Sequence, residues 1–238
     1  MEQLYKFQKE GHGRWGGVVG DAVLGANDGI ITTFAVVAGV TGANLSPVIV
    51  LIIGFANIIA DGISMALGNY LGTKSEQHFI RSERKREEWE IDNKREEEVD
   101  EIRHIFSQRG FSGSDLEKVV EVITADKKRW VDVMMRDELG LPDEASLKPM
   151  RSAGVTFVGF GIFGILPLLA YLPVFHIQEP FKLASILTGL AIFTVGVFSG
   201  YATKRNIFVA GLEMLFIGSI SASSAYFVGA LISKLIPA

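Results

Sequence analysis

The sequence predicts an all-α, polytopic membrane protein with five transmembrane helices and a cytoplasmic helical insertion between helices two and three. Three observations carry that reading. Nearly half of the 238 residues are hydrophobic (48%), and the mean hydropathy is positive at +0.30. Charge crowds between Lys74 and Arg151 while the flanks hold very little, a split expected of membrane segments around one polar insertion. Five apolar runs each reach at least about 20 residues, enough to cross a hydrocarbon core roughly 30 Å thick. Lipid offers the backbone no hydrogen-bond partner, so such runs have to be helices.

The spans follow in order. Val18 to Val40 is the first. Ser46 to Leu71 is the second, with Pro47 suited to a first helical turn. Ser152 to Leu172, carrying Pro167, is the third; Leu183 to Thr203 is the fourth and Ile207 to Ser233 the fifth. The expected division is therefore 1–74, 75–150 and 151–238. The N-terminal MEQLYKFQKEGHGRW lacks the apolar core of a signal peptide, so the first span is expected to direct insertion. Lys6, Lys9 and Arg14, the insertion, and Lys204 with Arg205 fall on one side and hold 21 of the 23 Lys and Arg residues. The positive-inside rule then puts the N-terminus and the insertion in the cytoplasm.

Within the insertion, Lys74 to about Ile91 has no Gly or Pro and is expected to continue the second span into water. Asn93 with Glu96, and Ser114 with Glu117, read as capping boxes that open further helices. Those helices are expected to end near Gly110 and Gly140, with a further start near Asp126.

Functional residues stand out where charge meets lipid. Asn57, Asp61, Met65 and Asn69 recur every four residues on the second span and form a polar stripe about 18 Å long. A carboxylate at mid-membrane costs about 2.5–3.5 kcal/mol on insertion scales, so Asp61 needs a partner or a watery path. Asn69 serves equally well as glue between helices. On the first span, Asp28 sits deep among the small residues of GANDG, whereas Asp21 is close enough to the surface to be an ordinary exposed residue. Glu213 on the fifth span either joins a pathway or pairs with Lys204 or Arg205. Oxygen ligands suit hard cations, and the Met65 thioether shifts preference toward a transition metal such as iron(II), although Met in an apolar span is also ordinary packing. A buried carboxylate can exchange a proton for a metal ion.

In the insertion, glutamates alternate with Arg and Lys, as on a solvated helix laced with ion pairs. Glu87 and Glu90 are three apart, as are Glu98 and Glu101. On one straight helix the two pairs would span about 21 Å, too far for one metal. A break near Asp92–Asn93 would fold them together, with Met134 and Glu138 as a third face. The four His do not cluster, and Cys is absent, which leaves no thiolate or His-type zinc site.

These residues resemble the vacuolar iron transporter family. GDAVLGANDGIITTFAVVAGVTGA is similar to that family's first helix, and ISMALGNYLGTKSE to its second helix running into the cytoplasm. EVDEI, WVDVMMRDELGL and GLEMLFIGS extend the match, in order, over nearly the whole chain. The resemblance implies a homodimer of five-helix protomers, with a pathway at the dimer interface built by the first and second helices. It also implies iron(II)–proton exchange that moves iron out of the cytosol. Asp28 matches the family's first-helix aspartate and Met65 its second-helix methionine; Glu87, Glu90, Glu98, Glu101, Met134 and Glu138 match its cytoplasmic metal-binding set. Where better-known members carry a glutamate, this chain has Asn57. Asp61, one turn on, replaces a small residue, as though the carboxylate had moved by one turn.

The expected function is therefore proton-coupled export of a divalent transition metal across a vacuole-type or plasma membrane. The metal is iron(II), with manganese(II) as its nearest competitor. A membrane-anchored metal sensor or buffer without transport is the alternative of a different class. The expected partners are divalent metal ions, protons, the lipid bilayer and a second copy of the chain, with no nucleic acid and no resident cofactor. No Gly-x-Ser-x-Gly or His-Glu-x-x-His motif points to an enzyme.

Overall fold

The computed structural model describes residues 14–175 and 177–235, with side chains from residue 17 onward. Lys6, Lys9, His12 and His176 lie outside the described residues. Every regular element among the described residues is helical: α1 (Arg14–Gly42), α2 (Pro47–Asn93), α3 (Arg95–Gln108), α4 (Gly113–Thr124), α5 (Lys127–Val133), α6 (Pro149–Gly164), α7 (Leu166–Leu169), α8 (Pro180–Ala202) and α9 (Ile207–Leu235). A π-turn, Met134–Glu138, continues α5. Five helices are long and apolar enough to cross a membrane, and the chain is a multi-pass integral membrane protein.

Two compact units emerge: one from residues up to 70 and from 149 onward, the other from residues 71–148. In the first, the bundle, α1 is the central helix. Gly25 and Gly29 press against the backbone of Thr156 and Phe160 on α6, so closely that a Cβ at either would strike a carbonyl oxygen. Gly159 returns the contact, its would-be Cβ lying 3.0 Å from the Ala22 carbonyl. Gly229 on α9 meets Gly39 in the same way, and Gly196 on α8 would place a Cβ 2.7 Å from the Ala210 carbonyl. Lipid tails are as apolar as Leu, so helices associate here by close contact between backbones rather than by escape from water. Between these crossings lie two buried clusters, one around Val37, Val50, Ile58, Leu168 and Ala184, the other around Ala26, Ile30, Ile192 and Val195.

One chain reversal and one helix break are locally determined. After α1, Asn44 takes a left-handed conformation (φ 56°) and Pro47 opens α2. The third span is not one helix. Pro167 lacks an N–H and its ring cannot pass the carbonyl four residues back. The helix therefore stops at Gly164 and restarts as α7, with the Leu168 N–H donating to the Ile165 carbonyl at 3.0 Å.

The insertion folds around Ile80, Ile91, Ile102, Val120, Ile123, Trp130 and Met134. Each fully buried large side chain of this kind is worth about 1.5–3 kcal/mol in water. Asp126 caps α5, its carboxylate accepting from the Arg129 N–H at 2.8 Å. Neither expected capping box forms. Lys94 is the N-cap of α3, while the Asn93 side chain donates to the Trp89 carbonyl at 2.7 Å and so completes α2 instead. At α4 the N-cap is Ser112, two residues before the expected Ser114, and it makes no side-chain cap. Gly110 (φ 93°) and Gly140 (φ 64°) end α3 and the π-turn in the left-handed region that glycine tolerates best.

Candidate functional site

The break at Lys94 has a chemical consequence. Glu87 and Glu90 from α2 and Glu98 and Glu101 from α3 open onto one cavity of about 240 Å³, joined by Glu138 from the π-turn. Glu87 and Glu98 are each only 4% exposed, and one carboxylate oxygen of each is buried without a hydrogen-bond partner. Burial, then the nearby Glu138, Glu98, Glu90 and Glu101, push Glu87 up to about 7. Burial, then Glu101, Glu90 and Glu138, push Glu98 up to about 7 against the opposing pull of Lys94. Glu101 and Glu138 are raised as well, again by burial first and by neighbouring carboxylates second. Among the described residues, two cations share the cavity: Arg86, 3.4 Å from Glu90, and Lys94, 3.9 Å from it.

Such a cavity is short of positive charge and rich in hard oxygen donors, which is what a divalent cation supplies and seeks. Among the described residues, no three His, Asp or Glu side chains are gathered tightly enough to hold a metal ion as they stand. The carboxylates form an open basin, and to hold a cation they would have to draw inward. Met134 is placed differently from the glutamates: it is fully buried in the hydrophobic core with Trp130 and Ile102 and does not line the cavity. Glu83 and Glu97 do line it. Sequence reasoning passed over both, although each lies four residues before a selected glutamate and so on the same helical face. Several other charges of the insertion form ordinary surface pairs, such as Lys127 with Asp92 at 2.6 Å and Arg103 with Glu117 at 2.9 Å.

Within the bundle, Asp28 on α1 and Asp61 on α2 lie within electrostatic reach of each other, and both are half-buried. No side chain among the described residues donates a hydrogen bond to either carboxylate; Thr32 donates to the backbone carbonyl of Asp28 at 2.8 Å. Beside them, the Asn57 amide nitrogen and the Asn27 amide oxygen are buried without partners, and Met65 is half-buried one turn from Asp61.

Asn69 has a clear structural part: its amide donates to the Asp21 carboxylate at 2.8 Å and to the Thr156 hydroxyl at 2.7 Å, tying together α1, α2 and α6. Asp21 is thus no ordinary exposed residue; it is half-buried and hydrogen-bonded across the bundle. Thr156, fully buried in the middle of this network, escaped sequence reasoning because one Thr in an apolar run carries little signal. Glu213 is exposed and accepts from Arg205 at 3.0 Å, which realises the pairing alternative.

The chain is similar to known proteins over most of its length. The chain is 34% identical over 225 residues to vacuolar iron transporter 1 of Arabidopsis thaliana, covering 94% of this chain and 90% of the relative. It is 35% identical over 227 residues to the vacuolar iron transporter of Toxoplasma gondii, covering 91% and 74%. To that of Plasmodium falciparum it is 33% identical over 221 residues, covering 89% and 81%. The sequence profile of the VIT family matches residues 19–230, and with these relatives it establishes that the chain belongs to the VIT family.

Proposed function

We propose that the protein exports iron(II) from the cytosol in exchange for protons. The observation that carries this reading is the pair of carboxylates on two membrane-spanning helices, Asp28 and Asp61, within electrostatic reach of each other and with no side-chain hydrogen-bond donor among the described residues. A pair of carboxylates at membrane depth is costly to keep and is relieved by a cation or by protons, the two species an exchanger passes in opposite directions. The names of the relatives supply iron as the first metal to test. Glu87, Glu90, Glu98, Glu101 and Glu138 gather the metal in the insertion, with Met134 packed beneath them. Asp61, Asp28 and the softer Met65 bind it in transit, and Asn57 contributes an amide where a carboxylate would add further charge.

A second copy of the chain completes the path. The apolar stretch of α2 is only 22% buried within one protomer, and the Asp61 face is half-open. Lipid tolerates exposed Ile and Leu but not a carboxylate, so a homodimer built on α1 and α2 would cover that face. The insertion and N-terminus lie in the cytoplasm on the charge argument above.

Proteoliposomes decide the matter. With an imposed proton gradient, iron(II) should cross the membrane and protons should move the other way. Metal binding without flux would favour the buffer reading; flux of manganese(II) exceeding that of iron(II) would reassign the substrate; metal flux indifferent to the gradient would remove the proton coupling.

A further inference from the structure

Asp137 stands next to Glu138, and by composition it belongs with the pocket's carboxylates. Its surroundings give it a different task. It does not line the carboxylate cavity. Its side chain is only 8% exposed, and guanidinium groups occupy both of its oxygens. Arg109 reaches Oδ1 at 2.8 Å; Arg136 donates from Nε to Oδ1 and from its terminal nitrogen to Oδ2, each at 2.9 Å. Arg136 is the sequence neighbour and adds no long-range constraint. Arg109 does: it is the C-cap residue of α3, the helix that carries Glu98 and Glu101. Its guanidinium also lies 5.1 Å over the Phe106 ring, which holds it from a second side.

The partner element needs such a tie. A π-turn is an uncommon, weakly self-supporting conformation. This one closes through the Leu139 N–H donating to the Met134 carbonyl at 3.1 Å and the Leu141 N–H to the Met135 carbonyl at 2.9 Å. Met134 and Met135 anchor its inner side in the hydrophobic core. The Arg109–Asp137 pair fastens its outer side to α3, and Glu138 lies directly beyond.

We propose that Arg109 and Asp137 form a positioning clamp that sets Glu138 against Glu98 and Glu101, and that Asp137 itself takes no part in metal binding. This rests on the metal-gathering role given above to the pocket. Residues that orient ligands typically contribute about 10–100-fold to metal affinity, and removing one charge of a partly buried pair leaves the other without its partner.

The test uses full-length protein in nanodiscs with cobalt(II) as the probe. Asp137→Asn should bind cobalt(II) at least about 10-fold more weakly, with a changed visible spectrum of the bound ion. The Leu139 and Leu141 amides should exchange hydrogen faster while the Trp130 amide does not. Asp137→Glu should recover part of both effects. Unchanged exchange at Leu139 and Leu141 in Asp137→Asn overturns the clamp, whether or not metal binds. Faster exchange with unaltered cobalt affinity and spectrum overturns its positioning role. A wild-type protein that takes up no cobalt(II) ends the pocket reading and the positioning role together, while the exchange data still decide the clamp.

Discussion

In the bundle, backbones touch; in the insertion, side chains fill the space between helices. Gly25, Gly29 and Gly229 lie so close to a neighbouring helix that any Cβ would collide with main chain, whereas Gly110, Gly113 and Gly140 of the insertion have open space around them and are used for positive φ. The difference follows from the solvent. Water drives Trp130, Ile102 and Met134 together by burial. Lipid supplies no such force, so the bundle relies on short-range contact. The two regions also keep their carboxylates differently: the bundle holds Asp28 and Asp61 as a sparse pair, while the insertion crowds seven glutamates around one cavity.

The largest expected effect breaks the first half of that comparison. Gly29→Leu would drive a side chain into the Phe160 backbone, which cannot yield as a flexible side chain does, and should cost about 3 kcal/mol or more. Gly68→Ala, on a helix face with nothing within 4 Å, should not destabilise and should gain up to about 1 kcal/mol, since Gly weakens a helix interior relative to Ala. Thermal unfolding in detergent, with size-exclusion profiles, reads both. If Gly29→Leu behaves like Gly68→Ala, close backbone contact is not what holds the bundle together.

Next in size is the separation of the two carboxylate sets. Asp28→Asn removes one charge of the lipid-depth pair and nothing from the insertion. Metal flux in proteoliposomes should fall to the passive leak, while cobalt(II) stoichiometry measured by calorimetry stays at the parental value. Preserved flux would show that Asp28 is not on the path; lost stoichiometry would show that the two regions do not bind metal independently.

Much of this was legible because lipid and water write different patterns. Hydropathy located all five spans, since a run of about 20 apolar residues has few other uses. The i, i+3 spacing of Glu87 with Glu90 and of Glu98 with Glu101, together with a break near residue 93, anticipated four of the seven glutamates that share the cavity. What stayed hidden depends on contacts between distant segments. The Asp21–Asn69–Thr156 network joins three helices, and the sequence distance between its members carries no sign of it. Met134 pairs with Glu138 by spacing, yet the π-turn and the core bury its side chain. Cap positions moved by one or two residues because Lys94 and Ser112 take the chain turn, whichever side chain is the better capper.

A smaller effect sharpens the insertion's half of the comparison through pH. Glu87 and Glu98 are raised from 4.5 to about 7, so the folded protein holds these protons more tightly than the unfolded chain. Their stabilising contribution is complete below about 4.5 and is lost as pH rises through about 7. Metal-free protein should therefore melt at a higher temperature near pH 5 than near pH 8. Added cobalt(II) should raise the melting temperature more at pH 8 than at pH 5, since metal takes the place of the departing protons. Asp137, held near 2 by Arg136 and Arg109, does not titrate in this window. A melting temperature that is flat from pH 5 to 8 would mean that the buried glutamates are better solvated than their 4% exposure implies.

The smallest effect concerns a carboxylate that belongs to neither set. Glu213 lies on a membrane helix, as Asp28 and Asp61 do, but its side chain is 53% exposed and Arg205, 60% exposed, neutralises it at 3.0 Å. An exposed pair of this kind contributes about 0–1 kcal/mol, and the arginine satisfies the charge without any help from a passing cation. Glu213→Gln should thus leave proton-driven metal flux within about twofold of the parent, because it removes no unpaired charge from the path. Arg205→Gln is the more informative partner. It leaves Glu213 without its arginine partner, so any effect should appear first as lower thermal stability and not as a change in metal selectivity. Loss of flux in Glu213→Gln would contradict this account: it would place a third carboxylate on the route and show that ion pairing does not separate structural acids from transporting ones in this bundle.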